Sequence, residues 1–96
     1  MDRSKDVIHY PGTSQAAVAY TGTAGNSAAI GSQTHKVRVV VTSDAFVAIG
    51  SGATATTSSM FVPANRPEYF LCRPGERVSA VQVSAGGNLY VTELTN

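Results

Sequence analysis

Read from end to end, the sequence is a series of short β-branched runs, broken about every ten residues by Gly, Pro, Asn or Ser. Nowhere do apolar residues recur at i, i+3, i+4 and i+7 over three turns, so the chain contains no amphipathic helix and reads as all-β. The clearest strand covers 36–42, where Val37, Val39 and Val41 share one face and Lys36, Arg38 and Val40 the other. That alternation predicts one face in the core and one partly wet. In 45–50, Val47 and Ile49 alternate with Phe46 and Ala48; both faces are apolar, which suits a central or interface strand.

Further strands are expected at 59–62, ended by Pro63, and at 67–72, with Pro67 at the first position that a sheet tolerates. Between 45–50 and 59–62, the Thr- and Ser-rich stretch 51–59 reads as an exposed loop. Arg73-Pro74-Gly75-Glu76 reads as a type II turn, because Pro presets φ at the second position and Gly supplies a positive φ at the third. In the strand at 77–85, Val78 and Ala80 lie on one face and Val81 and Val83 on the other, so both faces are covered or a bulge shifts the phase. Gly86-Gly87-Asn88 is expected to close a tight hairpin onto a last strand at 89–94.

Residues 1–31 are poor in large apolar side chains and have too little to bury to fold alone. They predict an extended N-terminal arm with short strands around 17–21 and 27–30, ordered by adding a strand to a neighbouring subunit. An edge hairpin of the same domain is the alternative. Residues 32–96 then form the folded domain, a β-sandwich or jelly-roll-like barrel, and the whole chain holds six to eight short antiparallel strands.

A domain of 96 residues buries only about 60–65% of the surface its unfolded chain exposes, so it needs help from disulfides, a metal or association. Cys72 is the only cysteine, and His9, His35 and Cys72 are too scattered to form a ligand pair, so no disulfide and no metal is expected. Association with other chains remains. Charged residues are 14% of the chain, against roughly 25% in ordinary globular proteins, which suits a surface that ends up covered. With a net charge of +1 and no cluster of Lys or Arg, no nucleic-acid partner is expected. No apolar run approaches 18 residues, so no membrane span is expected either. The opening Met1-Asp2-Arg3-Ser4-Lys5-Asp6 does not lead into a long apolar stretch, which predicts no secretory leader and synthesis in the cytoplasm.

The inventory for catalysis is thin: six acidic residues, two histidines and one cysteine. There is no Gly-x-Ser-x-Gly elbow, and neither Gly22-Thr23-Ala24-Gly25-Asn26 nor Gly50-Ser51-Gly52 is followed by the Lys-Ser or Lys-Thr pair of a phosphate-binding loop. The expectation is a non-enzymatic protein with no cofactor. Cys72 reads as a small buried apolar residue, and Phe46, Phe61 and Phe70 as core. The tyrosines are better suited to contacts, because a phenol buries its ring yet still hydrogen-bonds at a wet rim. Tyr10, Tyr20 and a cluster of Tyr69 with Arg66 and Arg73 are therefore the candidate partner-binding residues. Sugar stacking would favour Trp, and the chain has none.

Several segments resemble small structural proteins encoded with the capsid genes of tailed bacteriophages. They include Asp6-Val7-Ile8-His9-Tyr10-Pro11-Gly12-Thr13, Ser27-Ala28-Ala29-Ile30-Gly31 and Val37-Arg38-Val39-Val40. Later ones are Ala55-Thr56-Thr57-Ser58-Ser59, Pro67-Glu68-Tyr69-Phe70, Pro74-Gly75-Glu76-Arg77-Val78 and Ala80-Val81-Gln82-Val83-Ser84-Ala85-Gly86-Gly87. These motifs are turns and strand patterns, so they speak to fold more than to task. The resemblance implies a virion protein assembled in the host cytoplasm. Its expected role is a capsid decoration, or cement, protein seated on the outer shell as a dimer or trimer, bridging subunits of the major capsid protein. A head-tail joining or tail-associated protein and a receptor- or carbohydrate-binding module are the alternatives.

Overall fold

A computed structural model describes residues 10–95, and the side chains of 15–94. Nine strands follow one another with no helix among the described residues: β1 (Tyr10–Ser14), β2 (Val18–Tyr20), β3 (Gly25–Asn26), β4 (Lys36–Val41), β5 (Ala45–Gly50), β6 (Met60–Val62), β7 (Glu68–Leu71), β8 (Arg77–Gln82) and β9 (Gly87–Thr95). They form two antiparallel sheets. Sheet A runs β1-β9-β4-β7, with β2 also paired to β9, and sheet B runs β3-β8-β5-β6. The strand count exceeds the expected six to eight because Tyr10–Ser14 is a strand that the sequence reading did not mark.

The alternation in β4 works as expected: Val37, Val39 and Val41 are fully buried while Lys36, Arg38 and Val40 stay half-exposed. Burying each valine contributes about 1.5 kcal/mol or more. They face Ala45, Val47, Val62, Val78 and Ala80 of sheet B, with Tyr20, Leu89 and Val91 of sheet A, in one continuous core. The fold is thus sandwich-like, two sheets sharing a single interior.

Residues 10–26 are built into that sandwich. β1 lies along the Thr92–Thr95 end of β9, β2 along its Gly87–Leu89 end, and β3 pairs with β8. From Tyr10 on, the expected arm is therefore part of the edges of both sheets of the same domain, without the edge hairpin that the alternative named; residues 1–9 lie outside the described residues. Tyr20 explains why so apolar-poor a segment is held: its ring fills the interior and its hydroxyl donates to the Ser43 carbonyl and accepts from Ser43 N at 3.2 Å.

The expected hairpin at Gly86-Gly87-Asn88 is not one, since β8 belongs to sheet B and β9 to sheet A. The connection arches from one sheet to the other. Neither glycine has a positive φ; what they provide is room. A Cβ on Gly87 would stand 2.7 Å from Thr42 Oγ1 and 2.8 Å from the Tyr20 hydroxyl, and one on Gly86 2.8 Å from the Tyr20 carbonyl. The turn at Arg73–Glu76 is as expected: Gly75 has φ +87° and Glu76 N donates to the Arg73 carbonyl at 3.1 Å.

β8 is covered on both faces, the first of its two expected solutions, with Val78, Ser79, Ala80 and Val81 all buried. The 51–59 loop does part of this. Ala55, expected in an exposed loop, is buried, and its N–H donates to Ser79 Oγ at 2.8 Å. That hydroxyl in turn donates to Asn26 Oδ1 at 2.7 Å.

Candidate partner-binding surface

The sandwich has two outward faces, and strand register fixes what each displays. On sheet A, β4 turns out Lys36, Arg38 and Val40; across it stand Leu71 and Tyr69 of β7 and, on the other side, Leu94, Thr92 and Tyr90 of β9. Leu71 is 79% exposed, Tyr69 53% and Tyr90 44%. By alternation Glu68 and Glu93 point inward with Phe70 and Val91, so the outward residues of β4, β7 and β9 include two cations and no carboxylate. The face is apolar, aromatic and positive.

Sheet B turns out Phe46 and Ala48 of β5, Phe61 of β6, and Ser79 and Val81 of β8. Phe46 and Phe61 are cross-strand partners packed edge to face, with centroids 6.2 Å apart and planes at 67°. Phe61 is 51% exposed, which corrects its assignment to the core. The cause is parity: Met60 and Val62 pair with the buried Val47 and Ala45, so the residue between them faces out. Phe46 is half-exposed for the same reason, and Phe70 is half-exposed but packs on the core.

The sequence-named contact residues separate into distinct places. Tyr69 is on the sheet A face. Arg66 and Arg73 are exposed but stand beyond opposite ends of β7, so they do not form one cluster with it. The cation opposite Tyr69 is Arg38, by register. Tyr20 is a core residue and offers nothing to a partner; burial pushes its phenol above the usual range, Asp44 adding to the rise and the Ser43 bond opposing it. Tyr10 lies on β1, and its side chain is outside the described residues. Tyr90, like Tyr69, is an exposed tyrosine on the sheet A face, where Arg38 and Leu71, not singled out from the sequence, stand beside them; the alternation that put Lys36 and Arg38 on a wet face carried the signal for Arg38.

At the end of the sandwich, Glu93 occupies an inward position beside Val37. Its carboxylate accepts from Thr34 Oγ1 at 2.6 Å, from Gly31 N at 3.3 Å and from Gln15 Nε2 at 3.3 Å. These bonds close the open end of the core with a satisfied charge. Nearby, Ile49, Leu71, Cys72, Arg73 and Glu76 line an open cleft of about 490 Å³. Cys72 is buried and unpaired to any disulfide, and burial pushes its thiol up, with Glu76 and Glu93 adding to the rise. Arg73 does not overcome that, so the thiolate that nucleophilic chemistry needs is disfavoured. No group of three His, Cys, Asp or Glu is placed to hold a metal among the described residues.

Comparison with family models, with curated proteins and with solved structures finds no match to this chain.

Proposed function

We propose that this protein is a non-enzymatic virion structural protein of a tailed bacteriophage, a decoration protein on the outer face of the capsid. The observation that carries the proposal is the strand order. Position by position, sheet A (β1/β2, β9, β4, β7) and sheet B (β3, β8, β5, β6) hold chain neighbours: β2 with β3, β8 with β9, β4 with β5, β6 with β7. Only β5 and β6 are consecutive strands that pair within a sheet among the described residues. We read this order as jelly-roll-like, an architecture that viral capsid and lectin domains use. Fold alone does not assign a task. The sheet A face adds the second support, because an apolar surface with Lys36 and Arg38 on its middle strand β4 suits a protein partner that brings carboxylates opposite that strand.

The partner in this reading is the major capsid protein, bridged from outside by copies that also self-associate. Lys36, Arg38, Tyr69, Leu71 and Tyr90 are the shell-facing residues. Shells that lack the protein should take it up saturably, at a fixed number of copies per capsid subunit, and Leu71→Asp should abolish uptake. A protein that ignores intact shells but binds a tail or connector complex would move it to the head-tail junction. Jelly rolls also serve as lectins, and Tyr69 and Tyr90 share one face; retention on immobilised glycans without shell binding would favour a receptor- or carbohydrate-binding module.

A further inference from the structure

We infer that the folded chain, from Tyr10 on, is closed to proteases that cut after Lys or Arg, so that cutting by this class is confined to the bonds after Arg3 and Lys5. The inference goes beyond the proposed function and does not rest on it, since it concerns the isolated protein. The chain has seven Lys and Arg residues; Arg3 and Lys5 lie outside the described residues, and Lys36, Arg38, Arg66, Arg73 and Arg77 are the rest. Two different devices cover these.

The first is pairing. A protease takes its substrate as an extended segment whose backbone is free to bond to the enzyme. Lys36 and Arg38 stand in β4, which is paired along one side with β9 and along the other with β7. Arg77 opens β8 and pairs with Gly50 of β5. On the other side of β8, Ser27 holds the residue that follows: the Val78 N–H donates to Ser27 Oγ at 2.9 Å and the Val78 carbonyl accepts from Ser27 N at 2.7 Å. The Arg77 guanidinium, which would have to enter the enzyme's specificity pocket, donates to the Ser27 carbonyl at 2.9 Å. These bonds are reached only when the sandwich opens.

The second device is proline. Arg66 and Arg73 are exposed, in the connections on either side of β7, and exposed loops are where nicking concentrates. Each is followed by an exposed proline, Pro67 and Pro74. A proline there defeats the chemistry, because its ring replaces the N–H and crowds the scissile nitrogen that the catalytic histidine must protonate as it leaves. The other connections among the described residues hold neither Lys nor Arg. Cutting of a native chain tracks the population of its open form. With an unfolded fraction of about 10⁻³ or less, cutting after Lys36, Arg38 and Arg77 should be slowed about a thousandfold or more relative to the unfolded chain. The bonds after Arg66 and Arg73 should resist in both states.

Trypsin digestion read by mass spectrometry tests this on the folded wild type, on the wild type unfolded in urea, and on folded Pro67→Ala and Pro74→Ala, each variant checked for an unchanged thermal melt. The folded wild type should lose at most residues 1–5. The unfolded chain should be cut after Lys36, Arg38 and Arg77 but not after Arg66 or Arg73. Folded Pro67→Ala should be cut after Arg66, and folded Pro74→Ala after Arg73. Should Pro74→Ala fold poorly, because Pro74 presets its turn, Pro67→Ala carries the comparison. A folded wild type cut after Lys36, Arg38, Arg66, Arg73 or Arg77 would overturn the inference. So would folded proline variants as resistant as the wild type, since the prolines would then not be what closes those loops.

Discussion

The two outward faces of this sandwich each carry two aromatic rings but differ in charge. Sheet A shows Tyr69, Tyr90 and Leu71 with Lys36 and Arg38 and no outward carboxylate on β4, β7 or β9. Sheet B shows Phe46 and Phe61 beside the buried Val81, with no charge among them and one charge of each sign, Asp44 and Arg77, at its ends. Apolar exposure alone says only that something docks. The sign and placement of a few charges decide what can: a face of one sign repels its own copy and wants an acidic partner, whereas the sheet B face is partly roofed by the 51–59 loop and carries no such bias.

The change that should break the comparison altogether is Gly87→Val. The interior that both faces share depends on the close approach of the Gly86-Gly87 arch to Thr42, Ser43 and Tyr20. A branched side chain there should cost about 3 kcal/mol or more, lowering the melting temperature by about 12 °C or more and removing shell binding with it. Calorimetry checks it; an unchanged melt would mean that the arch is misplaced. The double change Lys36→Glu with Arg38→Glu should come next, weakening shell binding about tenfold or more while leaving the fold intact. Shell binding unchanged by it would erase the distinction between the faces.

Smaller effects sharpen the account of the interior. Tyr20→Phe leaves the Ser43 backbone groups without their partner and should cost about 1 kcal/mol at neutral pH by chemical denaturation. Tyr20 and Cys72 are both held above their ordinary values of 10.0 and 9.0, so the folded state keeps protons that the unfolded chain releases. Their contribution to stability is complete below pH 9 and declines as pH rises through those values toward the higher folded ones. Tyr20→Phe should flatten the upper part of that alkaline decline and Cys72→Ala the lower part. A decline of the same shape in both variants would assign it elsewhere.

Much of the sandwich was legible in the sequence because its strands are carried by local signals. The Val37-Val39-Val41 alternation, the Pro74-Gly75 turn and the strand at 45–50 each depend on chemistry within a few residues. What local signals do not carry is which sheet a strand joins. Gly86-Gly87 looks like a hairpin turn, and its role as an arch depends on Tyr20 and Thr42, distant in sequence. Tyr20 was read as a contact because a phenol suits a wet rim; it is core because β2 lies beside β9, a long-range pairing. For the candidate surface, Tyr69 was legible from residue type. Arg38, its true neighbour, became visible only through the register of β4 with β7.

The claim that the charged face meets the shell is tested most directly by co-sedimentation with mature capsid shells lacking the protein, comparing wild type with the Lys36→Glu, Arg38→Glu variant across a range of salt. The account predicts saturable uptake of the wild type at a fixed number of copies per capsid subunit, weakened by salt, and little uptake of the folded variant. Equal uptake of both proteins, or none of either, would contradict it.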